Sequence, residues 1–110
     1  MSKTKDIERL RQISQLILDV KLAALQSAAR KREESLELLA SLSQPCEPTD
    51  LLPTVGHLAE LRYQKWADAR RAEINLALAQ QTVSMHIARD AAAMAFGKNQ
   101  ALRGVAAKLK

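Results

Sequence analysis

The stretch "SLSQPCEPTDLLPT", residues 41–54, holds all three prolines and the single cysteine, Cys46, of a 110-residue chain that otherwise favours helix. A residue preceding proline is pushed out of the α region, so Gln44 is expected to end a first helix before Pro45. Pro48 prevents an early restart. Thr49 or Thr54 is placed to cap a second helix, with Pro53 tolerated in its first turn. The stretch is therefore read as a bend between two long helices. A linker between independent domains is disfavoured, because neither helix alone can bury its apolar face. Cys46 is expected to be exposed in this bend, an incidental thiol with no redox or metal partner nearby.

Composition agrees with an all-α class. Hydrophobic residues make up 47% of the chain, yet only Tyr63, Trp66 and Phe96 are aromatic. Alanine and leucine with Glu, Lys, Arg and Gln is the mixture of long helices and coiled coils, and β-branched residues are too few for a sheet. One cysteine cannot close an intramolecular disulfide, which points to a reducing compartment. The opening MSKTKDIERLRQ has no apolar run of the signal-peptide kind, and no apolar stretch approaches the roughly 18 residues of a membrane span. A cytoplasmic location is expected.

Residues 4–43 contain neither Gly nor Pro. Ser2 or Thr4 can cap the start, with Asp6 and Glu8 in the first turn. One apolar series runs Leu10, Ile13, Ile17, Val20, Ala24. A second runs Leu18, Leu22, Leu25, Ala29, Leu36, Leu39, one residue out of phase, as a straight helix drifts against a heptad. The second helix, about 55–108, carries two stripes: Leu58, Leu61, Ala69, Ala72, Leu76, Ala79, Val83, and Ile74, Leu78, Met85, Ala88, Ala92. Together these predict an antiparallel two-helix coiled-coil hairpin, a single unit over 1–110 with its bend at 44–54.

Centring the bend on Thr49 sets Leu39 opposite Ala59, Leu22 opposite Leu76 and Leu10 opposite Ala88. The second helix then overhangs the first by about a dozen residues, roughly 18 Å at 1.5 Å per residue. The overhang would be AFGKNQALRGVAAKLK, with Ala93, Gly97, Ala101 and Gly104 making one slender face. Two readings of Gly97 stand: a continuous helix through it, or a cap followed by a short helix that folds back.

The net charge is +5. After Asp90 the chain carries Lys98, Arg103, Lys108 and Lys110 with no acid, which suits either an acidic partner or the helix macrodipole. No phosphate loop, cysteine pair or nucleophile elbow is present, so no catalytic, cofactor-binding or metal-binding residue is assigned. His57 with Glu60, and His86 with Asp90, each offer two ligands where a metal site needs three or four. Arg62, Lys65, Arg70 and Arg71, interleaved with Tyr63 and Trp66, have the make-up of a nucleic-acid surface, but Glu60, Asp68 and Glu73 dilute the field.

The stretches "IERLRQISQLILDVKLAAL", "WADARRAEINLALAQQ" and "AFGKNQALRGVAAKLK" resemble the flagellar and type III secretion export-ATPase stalk family, the FliJ/YscO group, over nearly the whole chain. The resemblance implies a non-catalytic adaptor, peripheral to a membrane-associated export apparatus. Its paired helix ends, with Ile13, Ile17, Phe96, Leu102, Arg103, Val105 and Leu109, would enter the pore of a hexameric export ATPase. Tyr63 and Trp66 would face an export-gate protein or substrate chaperones. The alternative from the residues themselves is a self-associating structural protein, a homodimer closing into four helices.

Overall fold

In the computed structural model the described residues are 2–43 and 52–109. They form an all-α helical hairpin of two helices, α1 (Ser2–Leu42) and α2 (Pro53–Lys108). The expectations for Thr49 and Cys46 lie outside the described residues. The bend is shorter than expected at its far side, because α2 already begins at Pro53. Proline lacks the N–H that a first turn would leave unused, and the first regular bond runs from Gly56 N–H to the Leu52 carbonyl at 2.8 Å. Helix α2 passes through Gly97 and Gly104 without a break, which decides between the two readings of Gly97.

The described residues group into two compact units: a terminal unit of Met1–Arg30 with Val83–Lys110, and a central unit of Lys31–Thr82. In the central unit Leu42, Ala67 and Ile74 form a buried cluster with Leu39 and Tyr63 against it. Polar bonds cross the same seam. Ser35 Oγ donates to Gln81 Oε1 at 2.6 Å, Arg32 Nε to Thr82 Oγ1 at 3.1 Å, and Arg71 Nη2 to the Leu42 carbonyl at 2.9 Å. In the terminal unit Gln15 Oε1 accepts from both Asn99 Nδ2 and Arg103 Nη2, each at 3.2 Å.

These pairs overturn the expected register. Leu39 packs with Ala67 and Ile74, well beyond Ala59. Leu10 shares a groove with Ala91, Met94, Lys98 and Leu102. The C-terminal stretch is not an overhang: Glu8 and Arg11 stand across from Arg103, Ala106 and Ala107. The unpaired extension lies at the opposite end of α2, where residues 53–62 run past Leu42 and all but Gly56 are exposed. The symmetric bend assumed from the prolines is the source of the error. Register is set by which side chains fit the seam.

In each unit the buried positions of that seam recur close to a seven-residue period, interrupted on α1 at the exposed Lys21. On α1 it uses Arg11, Leu18, Leu25, Arg32, Leu39 and Ser14, Ala28, Ser35, Leu42, all buried or half-buried. On α2 it uses Ala67, Ile74, Gln81, Ala88, Ala95, Leu102 and Arg71, Leu78, Met85, Ala92, Asn99, Ala106. Steps of three and four residues repeated in this way are the heptad of a coiled coil. Small side chains at Ser14, Ser35, Ala67, Ala92 and Ala95 let the two helices lie close. Of the two expected α2 stripes, the one from Ile74 to Ala92 is the seam, and the one from Leu58 to Val83 faces outward. The α1 series of Leu10, Ile13, Ile17 and Val20 also faces outward.

Candidate partner-binding face

Helical geometry explains what the terminal unit displays. With Leu18 and Ser14 in the seam, Leu10 and Ile17 fall on one flank, and Ile13 and Val20 lie one step further round. On α2, Ala91, Lys98 and Val105 take the facing flank, with Ile87 and Met94 beside them. The two flanks meet in an apolar groove of about 380 Å³ between the helices. Its walls stay open: Leu10 is 51% exposed, Ile13 52%, Ile17 48% and Met94 65%. The aliphatic stems of Lys21 and Lys98 line its rim. Neither lysine forms an ion pair with a described residue.

The opposite flank of the same unit is polar. Asn99, 1% exposed, donates to Gln15, whose own Nε2 donates to Asp19 Oδ1 at 2.9 Å. Arg103 joins at Gln15, and Arg11 pairs with Glu8 at 2.8 Å. The hydrogen bond and charge of Glu8 raise the Arg11 pKa above its ordinary value, so its guanidinium stays charged. The unit thus has one hydrogen-bonded side, on which Leu16 is also exposed, and one apolar side.

Charge separates along the same division. The terminal unit holds eleven Lys/Arg against four Asp/Glu, a net of +7. The central unit holds six against eight, a net of −2. The modest overall +5 hides this contrast.

The expected binding residues are distributed unevenly. Ile13, Ile17 and Leu102 line the groove together. Arg103 belongs to the polar flank, and Phe96, seven residues before it, shares that helical face. Val105 and Leu109 are exposed near the end of α2. Tyr63 is half-buried against the central cluster, its ring 5.8 Å from that of Trp66, which remains 57% exposed. The basic group around them is partly consumed: Arg71 bonds to Asp68 and Leu42, and Arg70 to Glu73. Met94 and Lys21 were missed by reasoning from apolar stripes, and Leu10 and Lys98 were named only as stripe and basic-tail residues. The spacing of Ser14, Ala28, Ser35 and Leu42 at multiples of seven is the signal that would have exposed them.

Among the described residues no three metal-ligating side chains come together, and no helix is long and apolar enough to cross a membrane. The chain matches no family model, no curated protein and no solved structure.

Proposed function

We propose that this chain is a non-catalytic helical adaptor of a flagellar or type III protein-export apparatus. Its terminal unit engages the pore of a hexameric export ATPase and promotes its activity, and the Tyr63–Trp66 pair faces an export-gate protein or chaperones. The site of action is cytoplasmic, at the membrane-associated apparatus. The observation that carries this reading is the joining of both helix ends, through Gln15 and Asn99, into one unit of net +7 with outward Ile13, Ile17, Phe96 and Val105. Such a unit offers a partner an apolar anchor and a basic rim. The pairing of residues 96–107 with α1 removes the slender free helix from this picture, so the contact belongs to the paired helices.

The test is steady-state ATP hydrolysis by the export ATPase of the same organism, with and without the full-length chain. A several-fold rise is expected, lost in Ile13→Asp/Ile17→Asp, whose positions are exposed and outside the seam. An ATPase that neither binds the chain nor changes its rate in its presence would end this reading.

A further inference from the structure

The groove of the terminal unit has a chemistry that narrows its occupant. Apart from Ser14 and the rim lysines its lining is apolar and open, over about three helical turns from Leu10 to Lys21. An amphipathic helix fits such a trough by placing apolar residues at i, i+3, i+4 and i+7. Charge then chooses among helices. Lys21 and Lys98 stand at the rim without ion-pair partners among the described residues. A second copy of this chain would bring another unit of net +7, and another Lys21 and Lys98, onto the same face. A nucleic acid would satisfy the lysines but leave Leu10, Ile13, Ile17 and Met94 against a hydrated backbone.

We infer that this groove binds an acidic amphipathic helix of a partner protein, its apolar side between Ile13, Ile17 and Met94 and its carboxylates on Lys21 and Lys98. The inference rests on the terminal unit being the partner-binding end, and not on the partner being an ATPase.

The probe is a fluorescein-labelled peptide of about 18 residues, five helical turns, with leucines at i, i+3 and i+7 spacing and flanking glutamates. One control replaces every glutamate with lysine, and another scrambles the order. Anisotropy titration of the full-length protein is run at about 0.15 M salt, where exposed charges act over roughly 8 Å. The acidic peptide is expected to bind at least tenfold more tightly than either control. Lys21→Glu/Lys98→Glu, on exposed positions, should reverse the preference between acidic and basic peptides. Methyl NMR should place the shifts on Ile13, Ile17 and Met94. Controls that bind within twofold of the acidic peptide, or shifts confined to other residues, would overturn the inference. So would a 1:1 dimer in sedimentation equilibrium that Ile17→Asp dissociates, which assigns the groove to a second copy. A single-stranded oligonucleotide that binds more tightly than the peptide and shifts the same methyls would overturn it too. Peptide binding without stimulation of the export ATPase would keep the groove and discard the machine.

Discussion

The guanidinium of Arg71, on α2, donates to the main-chain carbonyl of Leu42 at 2.9 Å, and Leu42 is the last residue of α1. The last four carbonyls of a helix have no partner within it, and the end of its dipole is negative. A cation supplied by the neighbouring helix answers both needs. The same side chain bonds to Asp68 at 2.7 Å, which holds it in place. Arg71 therefore caps the end of α1 from α2, a role invisible in its membership of a basic cluster.

Arg71→Ala is expected to destabilise the protein by about 1 kcal/mol, a discounted charged hydrogen bond for a partly exposed group, and to lower the melting temperature by roughly 4 °C. Arg70→Ala removes only an exposed pair with Glu73 and should cost less than about 0.5 kcal/mol. Circular dichroism melts of both variants check the contrast. Equal effects would remove the cap from Arg71's role.

Ser14 and Ile13 should respond against intuition. Ser14 is buried in the seam, so Ser14→Leu overfills it and is expected to cost about 1–3 kcal/mol. Ile13→Asn, on the open side, should stay within about 0.5 kcal/mol of the parent. Urea denaturation midpoints at constant slope give the comparison.

Asn99 sits at a seam position with its amide on Gln15. A buried asparagine at such a position specifies register and partner number at some cost in stability. Asn99→Leu should raise the melting temperature while broadening the mass distribution in sedimentation velocity. A more stable variant with an unchanged monodisperse profile would show that Asn99 does not guard register.

Gly97 and Gly104 are helical, and a Cβ built at either meets nothing within 4 Å. Gly97→Ala and Gly104→Ala should each stabilise by about 0.5–1 kcal/mol, the helix-propensity difference alone. Amide hydrogen exchange in the last turns of α2 should slow in parallel. A loss of stability would mean that another chain approaches these glycines closely.

The sequence by itself determined the class, the two long helices, the proline boundary between them and the lack of a catalytic motif. Those features depend on local propensity, which Pro45, Pro48 and Pro53 set residue by residue. It did not determine which face turns inward. Hydrophobicity favoured Leu10, Ile13 and Ile17, but the fold buries Ser14, Ser35, Ala67 and Asn99 and leaves those larger residues outside. The physical reason is that an antiparallel pair gains from close approach of its helices as well as from each apolar side chain, so small residues share the seam with Leu18, Leu42 and Ile74. Only the paired structure, with Ser35 on Gln81, Gln15 on Asn99 and Arg71 on Leu42, decided the register. With the register came the apolar groove, the polar flank and the end of α2 that stands free of α1.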